Sequence, residues 1–261
     1  MSFTGKSPAD TYKDILNIDN SNSGVDSTAR IVESGNGSET AISLSDRSLK
    51  VKSNTNNTTA LDVSNASNAS KFSVDTTNNQ VKALGHHVNT QYAYFGIGAD
   101  MQQTLVADTH YGIPFFGMAQ KVEGWKADFG TGTDPDTSFT TANTLSQKGS
   151  QLAGLLWYVP DNITIDAVYS IEGADQATGD TTRMHLYSYT FNSGSTSALA
   201  DGTLLAHNSD VTNAGSEQAY LSTWTIDSSS VAAGKVICAF FRSDSINSDY
   251  TTNITVKYHL T

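Results

Sequence analysis

The chain has 261 residues, of which 38% are hydrophobic, and its 15 basic and 26 acidic residues give a net charge of −11. The hydrophobic fraction is below the roughly 45–50% of ordinary globular proteins, and the acidic balance repels phosphate backbones, so we expect no nucleic-acid partner. No stretch approaches the ~18 apolar residues of a membrane span, and the N-terminal segment lacks the apolar region of a signal peptide, so we expect neither membrane insertion nor secretion by a leader.

The first predicted element is a short helix. Ser7 has the residue type and position of an N-cap, and Tyr12, Ile15 and Leu16 then fall on one helical face. Turn-forming residues at 20–24 end the pattern. Because so short a helix is marginal alone, its apolar stripe is predicted either to attach the chain to a larger particle or to pack on the chain's own next strand.

Residues 41–90 alternate short apolar pairs with runs of Asn, Ser and Thr. Each pair offers two side chains on one strand face, and the intervening runs are turn formers. One chain with so little apolar area does not bury a core. We therefore predict a shaft in which three copies wind together as a β-prism or spiral, each giving one strand per layer. The predicted residues of the trimer core are Ile42, Leu44, Leu61, Val63, Phe72 and Val74.

Residues 91–110 are predicted as a neck and residues 111–261 as a β-sandwich knob of the jelly-roll type. Residues 163–171 alternate strongly between apolar and polar positions, and turn-rich segments separate the runs. Further strands are predicted at 115–122, 151–159, 182–190, 219–226, 235–242 and 252–260. The segment 236–241 is apolar at every position and needs cover on both faces. Either a loop of the same chain or a neighbouring subunit supplies it, and the neighbouring subunit agrees better with a trimeric shaft.

Chemistry-bearing motifs do not stand out. The sequence has no Gly-x-Ser-x-Gly nucleophile turn, no His-Glu-x-x-His and no phosphate-cradling glycine loop. The apolar neighbours of Cys238 predict a buried, inert thiol, and a packing role is favoured over an axial metal for the pair His86-His87. We predict no catalytic residue, no cofactor and no metal site. Paired carboxylates that cleave a polysaccharide remain a less favoured alternative.

Large aromatic side chains gather in the C-terminal half. For Trp125, Trp157, Tyr187, Tyr189 and Trp224 a place in the sandwich core is favoured. A sugar-stacking platform at the distal tip is the alternative.

Two N-terminal stretches carry a family resemblance. SFTGKSPADTYKDIL at 2–16 and DNSNSGVD at 19–26 resemble the N-terminal segments of structural proteins from tailed bacteriophages, especially marine and aquatic ones. ALDV at 60–63 through DTTN at 75–78 also resembles their shaft repeats, and residues 232–258 are more loosely similar to their C-terminal sandwiches.

The resemblance implies a homotrimeric appendage of a virion. Residues 1–40 would attach to capsid or tail proteins, with Tyr12, Ile15 and Leu16 as the contacting side chains. Residues 41–90 would form the shaft, and the knob would bind a host-surface glycan or protein. The alternative function is that of a head fibre, a decoration or cement protein of the capsid, because related N-termini do not distinguish a head mount from a tail mount.

Overall fold

The computed structural model shows a mainly β protein built from antiparallel sheets. The chain forms two compact units, residues 1–88 (the N-terminal unit) and residues 89–261 (the sandwich). Within the described ranges no helix is long and apolar enough to cross a membrane. The described residues are Lys13, 15–18, Asn20, 23–97, 105–115, 127–141, 149–175, 178–215, 217–246 and 250–261.

The N-terminal unit contains two four-stranded meanders, in which each strand pairs with the next one along the chain. The strands of the first meander are β1 (Leu16–Ile18), β2 (Arg30–Ser34), β3 (Glu39–Leu44) and β4 (Leu49–Val51). Those of the second are β5 (Leu61–Ser64), β6 (Ser70–Asp75), β7 (Gln80–Ala83) and β8 (His86–His87).

Side chains of Asn and Asp make the turns of the second meander, as the sequence predicts. Asn65 Oδ1 accepts from the backbone N–H of Ala69 at 2.9 Å, and Asp75 Oδ1 accepts from those of Thr77 and Asn78 at 2.9 Å each. Asn79 has a φ of +55°, a left-handed conformation that Asn tolerates better than most residues. These local bonds join consecutive strands without help from any packed layer.

The predicted N-terminal helix is wrong at its C-terminal end. Leu16 begins β1, which pairs antiparallel with β2, and Tyr12 lies outside the described residues. Leu16 and Ile18 are also two residues apart, which is the spacing of one strand face. The backbone of β2 supplies hydrogen-bond partners for this extended segment, so the strand forms and not the helix.

The strand pairing of the N-terminal unit also differs from the prediction that each chain gives one strand to each layer of a shaft. All strands from β1 to β8 pair with strands of the same chain. The connections after β2, β3, β5, β6 and β7 are short, and short connections let consecutive strands close as hairpins. Strand pairing also begins before residue 41, inside the segment predicted to attach the chain.

In its described part the sandwich contains two antiparallel sheets and a short helix, α1 (Gly149–Leu152). The strands of the five-stranded sheet are β9 (Thr90–Ile97), β12 (Ile163–Asp175), β16 (Glu217–Thr223), β18 (Ser230–Val231) and β20 (Tyr250–Leu260). Those of the seven-stranded sheet are β10 (Tyr111–Ile113), β11 (Trp157–Tyr158), β13 (Thr181–Phe191), β14 (Leu199–His207), β15 (Val211–Thr212), β17 (Thr225–Ile226) and β19 (Lys235–Ser243). Their main orders are β16-β12-β20-β9 and β10-β19-β13-β14-β17.

The main core lies between the two sheets. Phe95 and Ile254 of the five-stranded sheet share one buried cluster with Met184, Ile237 and Phe241 of the seven-stranded sheet. Alternate residues of each strand therefore point into a common apolar layer, which is the arrangement of a β-sandwich.

A second apolar cluster covers the outer face of the seven-stranded sheet. Cys238 and Phe240 of β19 point into it, and Phe129, Phe139 and Leu155 from the 127–155 segment lie over them. The ring centroids of Phe129 and Phe240 are 4.6 Å apart. The preferred prediction that a neighbouring subunit covers this face is wrong, because the chain's own loop supplies the second apolar layer.

Several strand predictions are confirmed, with boundaries shifted by a few residues, at β12, β13, β19 and β20. The single strand predicted at 219–226 is instead divided between β16 of the five-stranded sheet and β17 of the seven-stranded sheet. The predicted neck and the predicted strand at 151–159 also need correction. The predicted neck at 91–110 supplies most of β9, which pairs with β20 as an edge strand of the sandwich. The predicted strand at 151–159 is instead α1 followed by the two-residue β11. The predicted strand at 115–122 lies almost wholly outside the described residues.

Candidate functional site

The six predicted core residues of the shaft fall on the faces of the two meanders. In the second meander Leu61 lies opposite Val74 and Val63 opposite Phe72, so four of the six share one face. Val81 and Ala83 of β7 extend these two rows across the sheet. The result is a strip three strands wide with apolar side chains only, and we name it the β5–β7 face.

The first meander presents a smaller apolar group. Ile42 lies opposite Val51 and Leu44 opposite Leu49, so the remaining two predicted residues also share a face. Leu49 and Val51 were absent from the predicted set, although their i, i+2 spacing is the same signal. We name these four residues the β3–β4 face.

No side chain of either face is buried. Of the described residues in the range 13–88, Val32 alone is buried. Val63, Leu49 and Phe72 are exposed large hydrophobic side chains, as are Ile15 and Leu16, two of the three predicted attachment residues. A sheet gains independent stability when its apolar face packs against another layer, and none of the described residues from 13 to 88 supplies such a layer.

The large aromatic side chains of the sandwich divide into a buried set and an exposed set. Trp157, Tyr187, Tyr189 and Trp224 are buried, which confirms the core prediction, and Trp125 lies outside the described residues. The exposed aromatic residues lie on β9, β11, β12 and β13. They are Tyr92, Tyr94, Tyr158, Tyr169 and Phe191.

Two of the exposed aromatics, Tyr158 and Phe191, border a cavity of about 430 Å³. Leu152, Leu156 and Val236 line its apolar wall, and residues 192–198 form its rim. The rim is built by the tight turn after β13, in which the backbone N–H of Ser195 donates to the carbonyl of Asn192 at 3.2 Å. The size and mainly apolar lining are those of a small-molecule or sugar site.

The cavity wall is tied to the rest of the sheet by polar contacts. Asn192 Nδ2 donates to the carbonyl of Ser197 at 3.0 Å, and Thr141 Oγ1 donates to the carbonyl of Thr196 at 3.1 Å. Two aromatic faces beside hydroxyl and amide groups can stack on a pyranose ring and bond its hydroxyls. No local sequence pattern indicates this site, because Tyr158 and Phe191 are far apart along the chain.

A buried histidine pair lies beside the second apolar cluster. The ring centroids of His110 and His185 are 5.1 Å apart, and both side chains are buried. Burial lowers the pKa of His110 from its usual 6.5 to about 4 and that of His185 to about 3. Both rings are therefore neutral at physiological pH.

Hydrogen bonding of this pair is incomplete among the described residues. His110 Nδ1 lies 3.2 Å from the carbonyl of Gly130, while His110 Nε2 and both nitrogens of His185 have no hydrogen-bond partner there. Asp134 Oδ1 approaches His185 Nε2 to 3.4 Å without hydrogen-bond geometry. Nitrogen atoms of this kind are usually satisfied by buried water.

One carboxyl group is also buried within the sandwich. Glu172 Oε1 accepts from Thr182 Oγ1 at 2.6 Å, and Glu172 Oε2 has no partner among the described residues. Burial raises the pKa of Glu172 from its usual 4.5 to about 7. Glu172 therefore titrates near neutral pH, although it lies in the core and not in the cavity beside Tyr158.

Comparison with known proteins adds little to this geometry. The sequence matches no family model and no curated protein. Among solved structures, the aminopeptidase from the marine sediment archaeon Thaumarchaeota archaeon is similar over 72% of this chain and 40% of its own, with 8% identity and a TM-score of 0.31. The chain thus spans less than half of that protein, and a likeness this weak carries no argument about activity.

Proposed function

We propose that the chain is a homotrimeric structural appendage of a bacteriophage particle, with a shaft-forming N-terminal unit and a displayed sandwich. The observation that carries the proposal is the β5–β7 face, whose apolar side chains are exposed or half-buried and none of which is buried. Apolar strips of this kind become stable when copies of one chain bring them together about a symmetry axis.

Three meanders fit a triangular prism. Four strands spaced by about 4.8 Å make a wall roughly 19 Å wide, and three such walls enclose an inner radius of about 5.5 Å. This radius is close to half of the roughly 10 Å that separates packed sheets. Apolar side chains from three walls would therefore fill the interior, which supports a prism in place of the interleaved strands expected from the sequence.

For the sandwich we propose the jelly-roll type. Its support is the nesting of the strand pairs: β9 pairs with β20, β10 with β19, β12 with β16, and β13 with β14. Of these eight strands, the first along the chain therefore pairs with the last, the second with the seventh, the third with the sixth and the fourth with the fifth. This is the pairing of one long hairpin rolled into two sheets. Jelly rolls are common among viral capsid and lectin domains, which agrees with display on a virion.

The role that we propose for the sandwich is host attachment and not catalysis. The cavity bordered by Tyr158 and Phe191 would bind a host-surface glycan or a protein side chain, and three copies would add avidity. The resemblance of residues 2–26 to phage structural proteins supports a mount on capsid or tail proteins through the N-terminus.

Two experiments on particles separate the proposal from its alternative. An antibody against the chain should label purified virions in electron micrographs, and purified full-length protein should compete with them for adsorption to host cells. Labelled heads without competition would favour a decoration or cement protein. Absence of label from every particle would contradict a virion role, and release of reducing ends from host polysaccharide would contradict the non-enzymatic reading.

A further inference from the structure

The outer face of the five-stranded sheet carries a second set of exposed apolar side chains. Cross-strand register places its residues in parallel rows across β9, β20, β12 and β16. The two central rows are Tyr94, Thr255, Tyr169 and Thr223, then Gly96, Asn253, Ile171 and Leu221. We name these eight residues the central rows.

The central rows are unusual for a solvated surface. Leu221 is 75% exposed and Ile171 is 57% exposed, and they lie directly opposite each other in the β12–β16 ladder. Tyr94 and Tyr169 are also exposed, and Tyr92 adds a third tyrosine in the adjoining row. Tyr169, Ile171 and Leu221 are neighbours, whereas Thr255 and Asn253 separate Tyr94 and Tyr92 from them. Exposed apolar side chains grouped in this way typically mark an interaction site.

The central rows themselves carry no charge, although Lys257 lies in the adjoining row between Tyr92 and Ala167. None of the eight central-row residues is charged, whereas the whole chain has a net charge of −11. Two surfaces rich in carboxylates would repel each other on contact, but two central rows meet without bringing like charges together. The face therefore suits a partner that carries the same excess of acidic residues.

From the apolar exposure and the missing charge, we infer that the central rows bind a second copy of the chain. This inference rests on the proposed homotrimer and assigns it a contact surface in the sandwich. Each copy would present Ile171 and Leu221 to its neighbours about the symmetry axis.

Area favours a copy of the chain over an unrelated protein. Four strands across and two side-chain rows of about 7 Å each along the strands give a footprint of roughly 260 Å², about a third of the ~800 Å² per partner in a standard interface. An unrelated protein docked on this face alone would bind weakly. A copy of the chain also brings its β5–β7 face, and the two contacts reinforce each other.

Shape agrees with this reading. Next to the ridge formed by Ile171 and Leu221 lies a shallow groove of about 400 Å³, where Gly96, Gly173 and Ala219 leave the surface low. A ridge and a groove side by side on one face permit self-complementary packing, in which the ridge of one copy enters the groove of the next.

Charged substitutions in the full-length chain test the inference. Ile171→Glu and Leu221→Glu should each raise the dissociation constant of the oligomer by at least ~30-fold, the effect of losing an interface hot spot. Ile246→Glu is the matched control, because Ile246 is 65% exposed in the same unit but lies outside the central rows. Sedimentation velocity across a dilution series gives the constants, and near-ultraviolet circular dichroism checks the fold of each variant.

A cross-linking measurement covers the case of a misfolded variant. Cys238 is buried, so Asn253→Cys places the one accessible thiol in the centre of the face. A short bis-maleimide should then link chains of the Asn253→Cys protein and not of a Ser195→Cys control on the cavity rim. Oligomers that resist both glutamates, or that fail to cross-link through Asn253→Cys, would overturn this inference and leave the proposed function standing. A monomeric wild-type chain would overturn both.

Discussion

Val63 lies directly opposite Phe72 in the antiparallel β5–β6 pair, and both side chains stand on the same exposed face. Cross-strand pairs of this kind stabilise a sheet by roughly 0.2–1 kcal/mol. Their larger effect comes when a further layer removes them from water, at about 25 cal/mol per Å² of apolar surface. In the proposed homotrimer, assembly would therefore stabilise the N-terminal unit more than any contact inside it.

Val63→Asp tests this relationship. A carboxylate in the β5–β7 face would have to lose its water on assembly, so we expect the dissociation constant of the oligomer to rise by at least ~30-fold. Asn79→Asp introduces the same charge in a neighbouring turn, at a left-handed position that Asp tolerates. Sedimentation velocity should show normal assembly for Asn79→Asp, and equal weakening by both variants would contradict a specific role for the face.

Thiol labelling tests which chain covers β19. Cys238 is fully buried under the second apolar cluster, and burial raises the pKa of its thiol far above the usual value. Because the cover belongs to the same chain, we expect Cys238 to stay unreactive toward a maleimide in the dissociated Val63→Asp protein. Rapid labelling on dissociation, with native circular dichroism retained, would show that a neighbouring subunit provides the cover.

Acid should destabilise the sandwich through its histidine pair. Burial holds the pKa of His185 at about 3, whereas the unfolded chain titrates near 6.5. The unfolded state therefore binds the proton first, and the stability from neutral His185 is complete above pH 6.5 and declines as the pH falls toward 3.

His185→Leu removes this dependence. Relative to the variant, the wild-type chain should lose ~2 kcal/mol of unfolding free energy between pH 7.5 and 5.0. Urea unfolding followed by tryptophan fluorescence at the two pH values provides the comparison. If the difference in unfolding free energy between the two proteins did not change with pH, His185 would bind its proton equally in the folded and unfolded states, contrary to this prediction.

Glu172 should act in the opposite direction. Burial raises the pKa of Glu172 to about 7 from its usual 4.5, so the folded state holds the proton longer. The contribution of protonated Glu172 to the free energy of unfolding is complete below pH 4.5 and declines as the pH rises through 7. Glu172→Gln keeps the shape without the charge, and its stability relative to wild type should increase by ~2 kcal/mol from pH 5.0 to 7.5 in the same urea assay. A difference independent of pH would contradict a buried, titrating carboxyl group.

If the cavity binds the host, a substitution in it should weaken host binding without changing assembly. Phe191→Ala removes one aromatic wall, and loss of one stacking side chain at a binding site typically costs ~1–2 kcal/mol, or roughly tenfold in affinity. The variant should assemble normally but compete at least tenfold less well with virions for host cells. Ile246→Ala, which removes an exposed apolar side chain outside both the cavity and the central rows, is the control. Unchanged competition by Phe191→Ala would exclude this cavity from attachment.

The faces of the N-terminal unit could be predicted because their signal is local. Leu61 and Val63, like Phe72 and Val74, are two residues apart, and alternation alone places each pair on one face. Which strand each of these pairs lies against depends on residues far away in the sequence. The sequence does not say whether Val63 meets Phe72 of the same chain or of another, and the short turns decide for the same chain.

β14 was missed for a different reason. Its centre contains Asp201-Gly202, a dipeptide typical of turns. In the structure these residues form a bulge within the strand, with Asp201 at a φ of +55°. A Cβ on Gly202 would lie 2.6 Å from a ring carbon of Tyr189, so close packing against β13 requires glycine there. This constraint is tertiary, and no local pattern reveals it.

The mass of the full-length wild-type chain in solution tests the central claim most directly. Native mass spectrometry at low micromolar concentration should give three times 27.8 kDa, about 83 kDa. A homogeneous 27.8 kDa monomer that unfolds cooperatively would contradict the account, because the β5–β7 face would then be stable while exposed to water.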